Sequence, residues 1–244
     1  NMTNKIELTI LMPCLNEAET IEGCIREARS FLDARKVNGE ILIADNGSTD
    51  ASPEKAAGLG ARVISVDEKG YGNALRAGIE DARGEYVIMG DSDLSYDFYH
   101  LDGFLEKLRS GDGLVMGNRF RGGIAPGAMP FSHRYLGVPV LSLIGRMIYR
   151  IPVGDFHCGL RGVNVEAARS LGMKSSGMEF ASEMIGAFAE SEYPVSEIPT
   201  VLRCDGRSGK PHLRSIRDGI RHLVWMFGDL KKMRKSERCQ NRES

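Results

Sequence analysis

Tyr86-Val87-Ile88-Met89, followed by Gly90-Asp91-Ser92-Asp93, is a short apolar run that ends in a turn carrying two carboxylates. Bounded by Gly84 and Gly90, it is too short for a helix and has the length of a buried strand. The same unit recurs upstream. Leu8 to Met12 is an apolar run ended by Pro13, Glu40 to Ala44 is a second and Arg62 to Val66 a third. Single helical patterns separate them. One covers Glu19 to Leu32, with Ile21, Cys24, Ile25, Ala28, Phe31 and Leu32 at helical spacing; another covers about Ser52 to Leu59; and Asn73 to Arg83 is closed by Gly84. Short strands alternating with single helices predict an α/β fold with a doubly wound, mostly parallel sheet and helices on both faces. Such sheets bind ligands beyond the carboxyl ends of their strands. Asn16-Glu17, Asp45 to Ser48 and Asp91 to Asp93 each follow a strand directly, so this topology brings them to one edge.

Further along, a helix is expected over His100 to Arg109, a strand over Gly113 to Met116 and a Gly- and Pro-rich loop over 121–134. Leu136 to Val153 is almost wholly apolar, with Ser142, Arg146 and Arg150 four apart on one helical face. It reads equally as a buried helix with snorkelling arginines or as a helix lying on a membrane interface. Leu213, Ile216, Ile220, Leu223, Phe227 and Leu230 recur at alternating steps of three and four, the mark of an amphipathic helix. A single domain is expected over 1–211, with a basic amphipathic helix and tail over 212–244.

With 244 residues, 42% of them hydrophobic and 27% charged, the chain can bury a full core, and disordered, collagen-like and fibrous classes are excluded. The longest uncharged apolar stretch, Tyr135 to Gly145, falls short of the ~18 residues a spanning helix needs, and no signal-like leader opens the sequence. The expected location is the cytoplasm. Five cysteines without a C-x-x-C pair indicate reduced thiols rather than a disulfide framework or zinc. The net charge of −1 conceals an asymmetry: residues 203–244 carry twelve Lys and Arg against five Asp and Glu, leaving −8 for residues 1–202. No interleaved aromatics or nucleic-acid motif accompany the basic end. An anionic membrane surface or a phosphate-bearing substrate is therefore the expected partner, and nucleic acid is not.

Gly70-Tyr71-Gly72-Asn73-Ala74-Leu75 opens like a dinucleotide fingerprint but has Leu75 where the third glycine belongs, and Gly209-Lys210-Pro211 lacks the Ser or Thr of a phosphate loop. His100, His133, His157, His212 and His222 show no metal-ligand spacing. Fourteen aspartates yield about 0.8 Asp-x-Asp pairs by chance, so Asp91 and Asp93 draw their weight from position. Two carboxylates on a turn after a buried strand can hold Mg²⁺ or Mn²⁺ and leave positions for diphosphate oxygens. Such a cation neutralises charge on a departing nucleoside diphosphate.

In order and spacing, Pro13-Cys14-Leu15-Asn16-Glu17, Asp45-Asn46-Gly47-Ser48-Thr49-Asp50, Gly70 to Arg76, Gly90 to Asp93 and Gly117-Asn118-Arg119-Phe120 resemble glycosyltransferase family 2, and within it the dolichol-phosphate mannose and glucose synthases. The likeness continues through Met129-Pro130, Arg134, Asp155 to Arg161, Gly177 to Phe180 with Glu183, and Arg207 to Lys210, and so covers roughly residues 6–215. It implies a GT-A fold, a nucleotide-binding half over about 1–120 joined to an acceptor-binding half over about 121–211. It also implies that Pro13, Leu15, Asn16, Glu17, Asp45, Asn46, Gly47, Ser48, Gly72, Asn73 and Ser92 line the donor pocket, and that Asp91 and Asp93 bind metal and diphosphate. Arg119, Arg134, Arg161, Arg207 and Lys210 then gather around diphosphate or acceptor phosphate, work suited to the planar guanidinium. Two departures stand out. Asn46 occupies the place of a second aspartate that helps read the nucleobase, and Ser95 that of a Gln in many dolichol-phosphate mannose synthases.

The activity so implied is inverting, metal-dependent transfer of a hexose from a UDP- or GDP-sugar to a polyprenyl phosphate, dolichyl or undecaprenyl, by an enzyme peripheral on the inner face of the membrane. An ionised phosphate needs little general-base help. A hydroxyl acceptor needs a carboxylate within reach, for which Asp155 is the first candidate and Glu179 the second. Family 2 transfer to a soluble hydroxyl acceptor is the enzymatic alternative. A nucleotide-sugar-binding protein without catalysis is the other.

Overall fold

The computed structural model describes residues 5–130 and 138–208, together with Gly228. Arg134, Lys210, three of the histidines (133, 212 and 222) and the amphipathic repeat from Leu213 to Leu230 lie outside the described residues, apart from Gly228 within that repeat. The first half reads β1 (Leu8–Cys14), α1 (Ile21–Arg35), β2 (Gly39–Asp45), α2 (Ser52–Gly58), β3 (Arg62–Ser65), α3 (Tyr71–Asp81) and β4 (Tyr86–Met89). The second reads α4 (Asp102–Arg109), β5 (Leu114–Asn118), α5 (Arg119–Gly122), α6 (Val138–Tyr149), β6 (Arg161–Asn164), α7 (Val165–Ser170), α8 (Phe180–Ala189) and β7 (Val195–Pro199). One seven-stranded sheet runs in the order β3-β2-β1-β4-β6-β5-β7. All neighbours are parallel except β6, which is antiparallel to both β4 and β5. This is the Rossmann-like mixed sheet of a GT-A fold.

Alternation along the buried strands divides the core in two. Ile10 and Met12 of β1, Ile41 and Ile43 of β2 and Ile88 of β4 pack with α1 and α4 on one face. Leu11, Leu42, Ala44, Val87 and Met89 pack with α3, α7 and α8 on the other. Each of these side chains is at most 1% exposed, and burial on that scale contributes roughly 1.5–3 kcal/mol for each large aliphatic.

Four readings from the sequence change. Pro13 does not end β1, which runs on to Cys14 in register with Asp45. The pairing of β1 with β4 stops at Leu11 and Met89, so the N–H that proline lacks falls on a side where no ladder remains. The carbonyl of Pro13 accepts instead from the Ser92 hydroxyl at 2.8 Å. Residues 121 and 122, the start of the expected loop, belong to a helical turn over Arg119–Gly122, capped by the Asn118 side chain on the Arg121 N–H. The helix expected over Leu136 to Val153 spans Val138–Tyr149 and stops at Arg150, which is left-handed at φ 54° just ahead of the Ile151-Pro152 pair. Ser142 is buried and accepts from the Phe156 N–H, whereas Arg146 and Arg150 are exposed, so the three do not share one environment. Finally, β6, α7, α8 and β7 had no counterpart in the sequence reading; they are too short for periodicity to show.

Candidate active site

The carboxyl ends of β1, β2 and β4 are adjacent, and the polar turns that follow them are knitted together. After β1, Asn16 adopts a left-handed conformation at φ 58°, its N–H donates to the Ser48 hydroxyl at 2.9 Å, and its side-chain oxygen accepts the Thr49 N–H at 2.7 Å. The next two N–H groups, of Glu17 and Ala18, donate to Ser52 and Asp50. After β2, the Asp45 carboxylate folds back on its own turn and accepts from the N–H groups of Gly47 and Ser48 at 3.2–3.3 Å. Leu15 is left 40% exposed at this edge, an unusual position for a leucine next to so many buried polar groups.

Asn46 has a definite structural task. Its amide donates to the carbonyls of Val66 and Glu68 at 3.0 and 2.8 Å and accepts the Gly70 N–H at 2.8 Å. A carboxylate could accept the last bond but make neither donation. The departure from aspartate fits the 66–70 segment that Asn46 ties down, and the residue is 6% exposed. Lys69 closes the same corner with its ammonium on the Asn46 carbonyl at 2.7 Å. Gly72 and Asn73 are tied to the 175–177 loop. Both N–H groups donate to the Ser176 carbonyl, at 2.9 and 3.2 Å, and the Asn73 side chain bonds Lys69 and Arg76.

After β4 come the two aspartates. Oδ1 of Asp91 accepts from the Tyr71 hydroxyl at 3.1 Å. Oδ1 of Asp93 accepts from the N–H and hydroxyl of Ser95, and its Oδ2 pairs with Arg207 at 2.9 Å. The Arg207 guanidinium also meets Glu17 at 2.9 Å and Asp205 at 3.3 Å. One cation therefore serves three carboxylates, with Asp91 beside them. The crowding has an electrostatic signature. Burial, and then the charge of Asp93, push Asp91 up to about 6, although the Tyr71 hydrogen bond and the arginines work against it. Burial pushes Glu17 up to about 7; Arg207 pulls it back and Asp93 adds to the rise. Ser92, between the aspartates, is 2% exposed and braces the turn through Pro13 and Thr20.

Asp155 requires a correction. It is fully buried, and its carboxylate accepts from the Arg119 Nε and Nη2 at 2.7 and 2.8 Å and from the Arg119 N–H at 3.1 Å. A carboxylate so enclosed cannot reach a substrate hydroxyl, and the same pair removes Arg119 from the free phosphate binders. Arg161 is corrected likewise. At 3% exposure it donates to the carbonyls of Cys158, Ala181 and Phe156, and burial lowers its pKa. Glu179 stands just ahead of α8 and accepts the Gly177 N–H at 3.1 Å. Of the arginines named from the sequence, Arg207 is the one the described structure brings to Asp93. Two residues with aromatic hydroxyls escaped the sequence reading, Tyr71 and Tyr96, the latter accepting the Gly159 N–H at 2.7 Å. Nothing in a lone tyrosine signals such a role until its partner is known.

Residues 9–172 match the family model described as Glycosyl transferase family 2. Among curated proteins the chain is similar to Low-salt glycan biosynthesis hexosyltransferase Agl6 of Haloferax volcanii, at 40% identity over 90% of this chain and 53% of Agl6. It thus spans about half the length of that relative. It is also similar to Dolichyl-phosphate hexose transferase of the same organism, at 27% identity over 87% of this chain and 89% of the relative. Among solved structures, glucosyl-3-phosphoglycerate synthase from Mycobacterium tuberculosis, in complex with Mn²⁺, UDP and phosphoglyceric acid, matches with a TM-score of 0.71 over 92% of this chain and 78% of that one. At 19% identity the likeness is one of fold.

Proposed function

The chain belongs to glycosyltransferase family 2, and from that premise we propose that it transfers a hexose from a nucleotide diphosphate sugar to a polyprenyl phosphate with help from Mg²⁺ or Mn²⁺. The observation that carries this reading is the surplus of carboxylate at the end of β4, where Glu17, Asp93 and Asp205 share the single guanidinium of Arg207 and Asp91 lies alongside. Asp91 and Asp93 would hold the cation. Their hard oxygens suit it. Two protein carboxylates completed by substrate oxygens is the expected arrangement for such ions. When bound, the cation supplies charge neutralisation for the leaving diphosphate. The forming bond joins an acceptor oxygen to the anomeric carbon, the breaking bond joins that carbon to the diphosphate, and configuration inverts.

Glu17, Asp45 and Ser48 line the adjoining edge; Asp45 and the Ser48 hydroxyl accept from backbone N–H groups and the Glu17 carboxylate from Thr20 and Arg207, so the donor meets a largely pre-formed surface. The relatives and the fold neighbour support this assignment: one is a glycan biosynthesis hexosyltransferase, one a dolichyl-phosphate hexose transferase, and the third is seen in complex with UDP. Two features favour a phosphate acceptor over a hydroxyl. Asp155, the first candidate base, is closed by Arg119, and an ionised phosphate needs no base. In addition, Val140, Leu143 and Met147 of α6 are 44%, 49% and 65% exposed at steps of three and four, with Arg146 and Arg150 exposed beside them. An apolar stripe edged by arginines suits contact with an anionic lipid surface. Among the described residues no helix is long and apolar enough to cross a membrane. The test is a panel of UDP-, GDP- and dTDP-sugars assayed for hydrolysis and for transfer into a lipid extract, with and without chelator. Chelator-sensitive label in a phosphate-linked lipid is the expected result; label in water-soluble products alone would shift the assignment to a hydroxyl acceptor.

A further inference from the structure

We propose that Tyr71 is a positioning residue for Asp91, and that the glycines on either side of it serve to aim its hydroxyl. The inference rests on the reading of Asp91 as a cation-binding carboxylate. Tyr71 opens α3, and the start of that helix is pinned from several directions. The N–H groups of Gly72 and Asn73 both donate to the Ser176 carbonyl, and that of Gly70 donates to the Asn46 side chain at 2.8 Å. Gly70 has φ +139°, and a Cβ placed on it would stand 2.1 Å from the Ser176 carbonyl oxygen. A Cβ on Gly72 would stand 2.4 Å from the Ser175 carbonyl oxygen and 2.8 Å from the Cβ of Phe180. Backbone atoms cannot give way at such distances, so any side chain at 70 or 72 would lift α3 off the 175–177 loop.

What the close approach achieves is the placement of the residue in between. The Tyr71 hydroxyl reaches Asp91 Oδ1 at 3.1 Å, and among the described residues it is the hydrogen-bond donor to that carboxylate. Asp91 Oδ2 lies against Gly159, where a Cβ would come within 2.8 Å of it. Asp93 shows the same economy with different parts. Its Oδ1 is tethered by Ser95, and its Oδ2 meets the Arg207 cation. Each aspartate of the turn thus has one oxygen held by a neutral donor of the protein. A carboxylate fixed in this way meets a cation without first losing rotamer freedom, and removing such outer partners typically weakens metal affinity 10- to 100-fold. The Gly70-Tyr71-Gly72 motif then acts through Asp91 rather than on the nucleotide.

The experiment measures Mn²⁺ binding by electron paramagnetic resonance on the full chain, alongside thermal unfolding and the Mn²⁺ dependence of transfer. Tyr71→Phe should bind Mn²⁺ about 10- to 100-fold more weakly than wild type. Its unfolding temperature without metal should be unchanged, and its kcat should recover at saturating Mn²⁺, a pattern that a general packing defect would not give. Gly72→Ala, which keeps the hydroxyl but displaces the helix, should share the Mn²⁺ defect, and it carries the test if Tyr71→Phe does not fold. Wild-type Mn²⁺ affinity in folded Tyr71→Phe overturns the proposal while leaving the cation reading intact. Absence of Mn²⁺ binding by the wild type itself overturns both.

Discussion

Asp155 with Arg119 and Asp93 with Arg207 are the same chemistry used to opposite ends. Both are aspartate–arginine pairs with little solvent access, with side chains 0% and 10% exposed in the first and 11% and 16% in the second. Their stoichiometry differs. Arg119 gives two guanidinium nitrogens and its own N–H to one carboxylate, and the pair is neutral and complete. Arg207 divides itself among Glu17, Asp93 and Asp205, and its Nε is buried without a hydrogen-bond partner among the described residues. Burial alone therefore does not separate a structural ion pair from a functional one. On the proposed reading the count of charges does: the Arg119 pair is balanced, whereas around Arg207 three carboxylates share one guanidinium.

The contrast can be broken at either end. Asp155→Ala leaves Arg119 charged and enclosed, which should cost about 3–5 kcal/mol of stability in urea unfolding; a loss below 1 kcal/mol would mean the pair is not closed. Asp93→Ala removes negative charge from an overcharged cluster. Its urea midpoint should stay near that of wild type while transfer falls about 10²–10³-fold, and full activity in the folded variant or in excess chelator would end the metal-dependent mechanism.

Two smaller effects sharpen the comparison. Glu17, pushed up to about 7 from an ordinary 4.5, holds its proton more tightly in the folded than in the unfolded chain. Its contribution is therefore fully present below about pH 4.5 and is lost as pH rises through 7. In chelator, wild type should lose up to about 3 kcal/mol relative to Glu17→Gln across that window, and parallel stability curves for the two proteins would show that Glu17 is not crowded. Arg207→Met should tighten Mn²⁺ binding a few-fold in the absence of donor, because the competing cation is gone, an effect on the scale of a partly exposed ion pair, ~1 kcal/mol. Weaker Mn²⁺ binding in that variant would show that Arg207 supports the cation site rather than competing for it.

The parts of this arrangement that could be read from sequence are those written in consecutive residues. The strand Tyr86–Met89 and its Asp91–Asp93 turn appear where the apolar run and its glycines place them, and the clusters after β1 and β2 meet that turn as parallel winding requires. What stayed hidden depends on partners far along the chain. Asp155 looked like a base because Arg119, 36 residues away, is invisible from its neighbourhood. Gly72 is assigned to the donor pocket by resemblance alone because the Ser175 carbonyl that demands it lies some hundred residues on. Asn46 stands in the sequence only as a departure from the family aspartate, because the two carbonyls it donates to lie 20 and 22 residues on. Pro13 looked like a strand terminator because a sequence does not say on which side its neighbour has already turned away.

The antiparallel strand β6 has a consequence for how the protein comes to be made. Among the described residues strand β5 pairs in the sheet with β6 and β7 alone, both of which are translated after it. When a ribosome has released the first 120 residues, five of the seven strands exist, yet β5 has no edge to join and β4 has an open one. The segment that resembles a self-sufficient nucleotide-binding module thus cannot complete its own sheet. Arg161 to Asn164 must arrive from beyond α6 and slide between the two edges, a long-range closure of the kind that slows folding and leaves sticky strands waiting for a late partner.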